Sequence, residues 1–86
     1  MNPTDLYKHD HFGNLVQITA VGGNWVEFLS KGSLFWLEQP VFNQAYTYYR
    51  DGDPINVDIT ALRAVARATG ILVPREIQAT YVDIAT

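Results

Sequence analysis

Residues 15–30, LVQITAVGGNWVEFLS, contain the two alternating runs that decide the fold. In each run apolar side chains occupy every second position, the period of a strand that turns one face to a core. The glycines and asparagine between the runs accept the positive φ that tight hairpin turns need. The pattern therefore predicts a β-hairpin. In the first run, one face is predicted to carry Val16, Ile18 and Ala20 and the other Gln17 and Thr19. In the second run, one face carries Val26 and Phe28 and the other Trp25, Glu27 and Leu29.

Shorter segments on either side of the hairpin extend the predicted sheet. Residues 34–39, LFWLEQ, follow the turn SKGS and predict a third strand with Leu34 and Trp36 on one face. Residues 5–9, DLYKH, precede a Gly-Asn turn and add an edge strand. Together with the hairpin, these segments predict an antiparallel sheet.

Pro40 marks a change from strand period to helix period. Proline suits the first turn of a helix, because the N–H that it lacks has no partner there. Apolar residues then recur at helical spacing, so residues 41–49 are predicted to form a helix packed on the sheet. Tyr48 faces away from this stripe, toward solvent or a partner. The predicted stripe consists of Val41, Phe42, Ala45, Tyr46 and Tyr49.

Residues 59–69 form the clearest predicted helix. Asp58 precedes them as an N-cap, and Gly70 supplies a stop signal at the C-terminal end. Arg63 and Arg67 are four residues apart and are predicted to share the exposed face. The predicted apolar face consists of Ile59, Leu62, Val65, Ala66 and Thr69.

Residues 75–85, near the C-terminus, allow two interpretations. Ile77, Ala79 and Tyr81 alternate as in a strand, whereas Ile77, Tyr81 and Ile84 have the spacing of a helix. We interpret the segment as a strand.

The predicted elements form one domain of the α+β class. A chain of 86 residues falls within the usual size of a single domain, so residues 1–86 are expected to fold as one unit. We expect a small, bent, barrel-like antiparallel sheet of three to five strands with two helices packed on it.

Composition narrows the classes of activity. Hydrophobic residues make up 48% of the chain, charged residues 17%, and cysteine is absent. We therefore expect a folded domain without disulfides or a zinc–thiolate site. The net charge is −3 with six Lys and Arg, so nucleic-acid binding is disfavoured. The chain carries neither a leader pattern nor an apolar run of about 20 residues, and we expect a cytoplasmic protein without membrane contact or cofactor.

Histidine and aspartate clusters are the candidate metal ligands. His9 and His11 point the same way on a strand, so they could share a transition metal. Asp51, Asp53 and Asp58 offer oxygen ligands, but their spacing is not that of a calcium loop. Turn chemistry accounts for both clusters without an ion, and no metal site is predicted.

Glu27 and Glu38 are the candidate catalytic pair. They lie on strands predicted to be neighbours, and two carboxyl groups can act as acid and base. Carboxylates on the outer face of a strand are ordinary, however, and the chain lacks both cysteine and a Gly-x-Ser-x-Gly elbow. We therefore expect that the protein is not an enzyme.

Residues 64–78, AVARATGILVPREIQ, raise a DNA-binding alternative. Ala66 and Gly70 have the spacing of a helix-turn-helix. Glu76, however, falls where the second helix would need an apolar residue, and Pro74 stands at the start of that helix. The alternative, a small DNA-associated regulator, would use Arg63, Arg67 and Arg75.

Residues 35–50, FWLEQPVFNQAYTYYR, contain more aromatic side chains than so small a core can bury. Exposed aromatic patches mark protein interfaces, where Trp, Tyr and Arg dominate the binding energy. We expect a compact patch that binds a partner, or else coverage of these rings by the C-terminal segment. We also expect a homodimer with an isologous contact. The predicted patch is Trp25, Phe35, Trp36 and Tyr48, with Glu27, Glu38 and Arg50 at its rim.

Four segments of the chain, DLYKH, FGNLVQITAV, NWVEFLSKG and PVFNQAYTYY, carry a family resemblance. Through them, residues 5–49 resemble short accessory proteins of prophages and plasmids that fold as a small Src-homology-like barrel. The helix from Asp58 onward departs from that pattern. The resemblance implies a mobile-element origin and a non-catalytic protein that binds and inhibits a host protein in the host cytoplasm. An inhibitor of antiviral defence of the anti-CRISPR kind is its sharpest form, and a phage assembly subunit is an alternative.

Overall fold

The computed structural model describes residues 1–80, which form a five-stranded antiparallel sheet and three helices. The strands are β1 (Leu6–His9), β2 (Leu15–Gly22), β3 (Trp25–Ser30), β4 (Ser33–Glu38) and β5 (Tyr46–Arg50). The helices are α1 (Gln39–Ala45), α2 (Ile59–Ala68) and α3 (Arg75–Gln78). The strand order is β4-β3-β2-β1-β5. The predicted α+β class is confirmed, as is the hairpin of residues 15–30, which is β2 paired with β3.

The sheet is open, so the predicted barrel-like closure is wrong. β4 and β5 are its two edges and do not pair with each other within residues 1–80. Helix α1 follows β4, leads into β5, and contacts β3, β4 and β5. A helix therefore lies where strand pairing would be needed to close a barrel.

A bulge in β2 changes which side chains share a face. Ile18 pairs with Phe28 and Ala20 pairs with Glu27, so Thr19 is an extra residue on β2. Thr19 consequently contacts Glu27, and Ala20 joins the core on that same side. The prediction that Ala20 shares a face with Ile18 is therefore wrong.

Helices cover both faces of the sheet, which gives two cores. The α1 side of the sheet carries a core of Tyr7, Val16, Ile18, Val26, Phe28 and Phe42. The α2 side carries a core of Ala20, Ala66, Val73 and Ile77, with Trp25 and Trp36 packed against it.

The predicted helix over residues 41–49 is wrong in its second half. Helix α1 ends at residue 45, and Tyr46–Arg50 forms a strand paired with β1. Aromatic residues and threonine favour a strand, and pairing with β1 supplies its backbone partners. Phe42 is buried as predicted, but Val41 and Tyr49 are about half exposed, at 49% and 51%.

Helix α2 confirms the predicted helix of residues 59–69 to within one residue at its end. Its buried residues are Ile59, Arg63 and Ala66, whereas Val65 is 61% exposed. The predicted burial of Val65 and exposure of Arg63 are therefore wrong. The reason is an ion-pair partner for Arg63 on the sheet, Glu27, which turns this side of the helix inward.

Residues 75–78 form helix α3, so the strand interpretation is wrong for them. Pro74 precedes this helix as its N-cap, and Ile77, within the helix, is fully buried. Helix α3 approaches β2 closely at Gly22, because a Cβ at that position would collide with the carbonyl of Glu76. The rest of the interpreted strand, from residue 81 onward, lies outside the described residues.

Candidate functional site

Strand β4 is an edge strand with an unusually apolar sequence. Its residues are SLFWLE, with no proline and no charge before Glu38. Its outer edge has no neighbouring strand within residues 1–80. Natural sheets usually protect such an edge with charge, proline or a bulge, because an unprotected edge can pair with another chain. β4 lacks these protections along most of its length.

The turn before β4 determines which backbone groups face outward. Lys31 and Gly32 have φ of 51° and 81°, as a two-residue type I′ turn requires, and Ser30 pairs with Ser33 across it. Hydrogen-bonded pairs alternate with non-bonded pairs from this point. The same alternation reaches the end of the strand, where the Gln39 N–H donates to the Asn24 carbonyl at 2.7 Å. The N–H and C=O groups of Leu34 and Trp36 therefore point away from β3.

An aromatic groove of about 270 Å³ borders β4 on the α1 side. Phe35 is 46% exposed and stacks on Phe28 with ring centroids 5.7 Å apart. Tyr46 stacks on the buried Phe42 at 4.5 Å, and its burial raises the pKa of the phenol above the usual 10.0. The groove is thus apolar and lined by stacked aromatic rings. Its lining is Phe28, Ser30, Phe35, Trp36, Leu37 and Tyr46.

A second groove of about 170 Å³, the helix groove, borders β4 on the α2 side. Leu34 and Leu62 contribute partly buried side chains to it. Val65 and Ile71 also line it and are 61% and 50% exposed. The free edge of β4 therefore lies between two apolar grooves, one on each face of the sheet.

A buried polar network supports β4 from the α2 side. The Trp36 Nε1–H donates to Glu27 Oε2 at 2.8 Å, and Thr19 Oγ1 donates to Glu27 Oε1 at 2.7 Å. Arg63 donates from Nε to Oε2 at 2.7 Å and from Nη2 to Oε1 at 2.8 Å. The Arg63 guanidinium also donates to the carbonyl and hydroxyl oxygens of Thr80, both at 3.2 Å. The network fixes the indole of Trp36 and attaches α2 to the sheet.

Sequence reasoning missed this network because its central pair is 36 residues apart. One local signal was present. Arg63 lies four residues after Ile59 and three before Ala66, which places it within the apolar stripe of α2. An arginine at such a position needs a buried acid, and Glu27 on the central hairpin supplies it.

The predicted binding residues do not form one patch. Phe35 and Trp36 lie on β4, and Glu38 at its end is paired with Trp25 on β3. Trp25 lies on the interior strand β3 and, like Trp36, is partly buried against the α2-side core. Phe35 and Glu38 are the predicted patch residues that are exposed on the edge strand. Glu27 is wrongly predicted as a rim residue, because it is fully buried in an ion pair.

Tyr48 and Arg50, the other two predicted patch residues, lie on β5 at the opposite edge of the sheet. The Tyr48 ring packs against Tyr7 with centroids 5.7 Å apart. Its hydroxyl donates to Asp51 Oδ1 at 2.6 Å, and this hydrogen bond raises the pKa of Tyr48 to about 12. Tyr48 borders a separate groove of about 470 Å³.

The candidate metal ligands take part in turns and caps. His9 Nδ1 accepts the backbone N–H groups of His11 and Phe12, each at 3.1 Å. Asp58 Oδ1 accepts the backbone N–H of Ala61 at 3.0 Å and so caps α2. Within residues 1–80, no three His, Cys, Asp or Glu side chains are grouped as metal ligands would be.

Of the three arginines of the DNA-binding alternative, two are exposed and one is buried. Arg63 is buried against Glu27 and offers no charge to a phosphate. Arg67 and Arg75 are exposed on two different helices. Of the candidate catalytic carboxylates, Glu27 is buried in an ion pair with Arg63, whereas Glu38 is exposed at the end of β4.

Comparison with family models, curated proteins and solved structures finds no match to the chain. Among the helices of residues 1–80, none is long and apolar enough to cross a membrane.

Proposed function

We propose that this chain is a non-catalytic protein-binding module that adds an extended segment of a partner protein to the free edge of β4. One observation carries the proposal. The apolar edge of β4 lies between two apolar grooves, and its outward backbone groups have no strand partner within residues 1–80.

Strand addition would use both features of the site. Main-chain hydrogen bonds to Leu34 and Trp36 would provide affinity, and alternate side chains would enter pockets that provide specificity. A strand lying beside β4 points successive residues to opposite faces of the sheet. One set would enter the aromatic groove beside Phe35, and the other would enter the helix groove beside Val65.

The partner that fits this site is a segment with apolar side chains at successive positions. Such a segment would bury apolar surface on both faces, which is the principal source of affinity in association. The hypothesis that the partner is a host protein, such as a component of antiviral defence, rests on the family resemblance and stays a prediction. A phage assembly subunit would also use strand addition, with another subunit as the partner.

Selection from a display library of short random peptides tests the proposal. We expect the selected peptides to carry apolar residues at successive positions and to bind the chain in titration calorimetry. Phe35→Lys and Val65→Lys each place a charge in one groove, so each should weaken binding at least about tenfold.

Tyr49→Lys is the matched control. Tyr49 is 51% exposed, comparable to Phe35, but it lies on the opposite edge of the sheet. Its substitution should leave peptide affinity unchanged. Peptides that bind but respond to Tyr49→Lys, and not to Phe35→Lys or Val65→Lys, would overturn the proposed site.

A further inference from the structure

We infer that β4 also pairs with β4 of a second copy of this chain, antiparallel, about a two-fold axis that passes beside Phe35. This inference rests on the proposed function, because it assigns an occupant to the same edge. Two sheets of five strands would then form one continuous sheet of ten.

Geometry restricts the register of such a pair. A two-fold axis perpendicular to the sheet places equivalent faces of the two copies on the same side of the joined sheet. Residues that lie opposite each other across the axis must therefore belong to the same face of β4. Phe35 opposite Phe35 of the second copy satisfies this condition, and Leu34 then lies opposite Trp36. Since the backbone groups of Leu34 and Trp36 point outward, this register forms antiparallel hydrogen-bonded pairs.

Charge complementarity favours the second copy as the occupant. Lys31 lies just before β4 and Glu38 ends it, and both are exposed. Neither forms an ion pair within residues 1–80, where the ion pair present is Glu27–Arg63. In the inferred register Glu38 lies opposite Gly32 of the second copy, next to its Lys31. Two opposite-charge contacts therefore form, one at each end of the paired strands.

The aromatic groove is also self-complementary in this register. Phe35 of each copy meets Phe35 of the other as a cross-strand aromatic pair, which is a favourable pair in antiparallel sheets. On the other face Leu34 meets Trp36, whose indole is held by Glu27. The dimer therefore covers the apolar edge, and partner segments compete with the second copy for it.

Exchange of the two charges tests the register in solution. Sedimentation velocity of the full chain across the micromolar range should show a monomer–dimer equilibrium. Lys31→Glu and Glu38→Lys should each raise the dissociation constant about tenfold, because each places like charges together at both ends. The double variant should restore dimerisation, and Lys8→Glu, a charge change on β1, should have no effect. A double variant no better than the single variants would overturn the register.

A disulfide provides a direct readout, because the chain contains no cysteine. Phe35→Cys would place two thiols opposite each other in a non-hydrogen-bonded pair, about 4.5 Å apart at Cα, within the range that a disulfide spans. Mild oxidation should therefore yield a covalent dimer. Ser33→Cys, on the same face of the same strand, should not, because Ser33 lies opposite Leu37 in this register.

The two proposals fail in distinguishable ways. If the chain stays monomeric and its Phe35→Cys variant does not cross-link, while selected peptides respond to Phe35→Lys, the dimer is overturned and the partner-binding edge is supported. If the Phe35→Cys variant cross-links and the chain selects no peptides, the dimer is supported and partner binding is overturned.

Discussion

Arg63 on α2 and Glu27 on β3 form a buried ion pair, with Arg63 Nε donating to Glu27 Oε2 at 2.7 Å. The Glu27 carboxylate accepts four hydrogen bonds, from Thr19, from Trp36 and two from Arg63. Every buried side-chain nitrogen and oxygen in the described part of the chain has a partner. The pair therefore links the helical layer to the strand behind the free edge.

Removing one member of this pair should destabilise the fold strongly. Arg63→Ala leaves Glu27 buried without a counter-charge, which costs about 3–5 kcal/mol of unfolding free energy. Urea denaturation measures it. Arg67→Ala, on the exposed face of the same helix, should change stability by less than about 0.5 kcal/mol. Equal effects of the two variants would show that the ion pair does not hold α2.

Replacing both charges by apolar side chains should cost less than removing one. The variant Glu27→Leu with Arg63→Met removes both buried charges, although it deprives Trp36 Nε1 and Thr19 Oγ1 of their acceptor. We expect this double variant to be more stable than Arg63→Ala in the same urea titration. A double variant less stable than Arg63→Ala would show that the hydrogen bonds from Trp36 and Thr19 to Glu27 contribute more to the unfolding free energy than the ion pair does.

Adjacent residues on α1 should differ sharply in their contribution to stability. Phe42 is fully buried between Tyr7, Phe28 and Tyr46, whereas Val41 is 49% exposed. Phe42→Ala should cost about 3–5 kcal/mol through lost transfer energy and the cavity left behind. Val41→Ala should cost under about 1 kcal/mol, because its side chain is half solvated. Thermal unfolding of the two variants measures the difference. Similar melting temperatures would contradict the packing of α1 on the sheet through Phe42.

Tyr48 should ionise at a higher pH than an exposed tyrosine does. Its pKa is raised from 10.0 to about 12 by the hydrogen bond to Asp51. The bond is therefore fully present below about pH 10 and is lost as the pH rises through about 12. Ultraviolet titration of Asp51→Asn should show one tyrosine moving to lower pH, and Tyr48→Phe should remove that transition. An unchanged titration curve in Asp51→Asn would contradict the hydrogen bond.

Local patterns predicted most of the strands and α2. The alternation within residues 15–30 and the turn glycines describe β2 and β3 without knowledge of distant contacts. Asp58 and Gly70 likewise mark the ends of α2 through short-range capping chemistry. Signals of this kind depend only on residues close together in the chain, so they can be recognised without knowing the fold.

Long-range pairing accounts for the errors. The residues after Ala45 have apolar side chains at helical spacing, but their pairing with β1 makes them strand β5. Thr19 becomes a bulge because of the register with β3, which no local pattern specifies. Arginine in a helix is most often exposed, so the burial of Arg63 depends on a partner 36 residues away.

The candidate site was predicted in part for the same reason. The excess of aromatic side chains in residues 35–50 points to Phe35 and Trp36, with Glu38 at the rim, and all three lie on the edge strand β4. The helical spacing of apolar residues predicts that Val65 is buried. Arg63 turns toward the sheet instead, and this rotation of α2 leaves Val65 exposed. The helix groove could not be predicted without that rotation.

Amide hydrogen exchange along β4 is the most direct test of the free edge as a binding surface. In the unbound monomer, the amides of Leu34 and Trp36 should exchange fast and that of Phe35 slowly, because Phe35 pairs with Phe28 on β3. On binding a selected peptide, or on dimerisation, Leu34 and Trp36 should become protected. Unchanged exchange at Leu34 and Trp36, with new protection on β5 instead, would contradict the account.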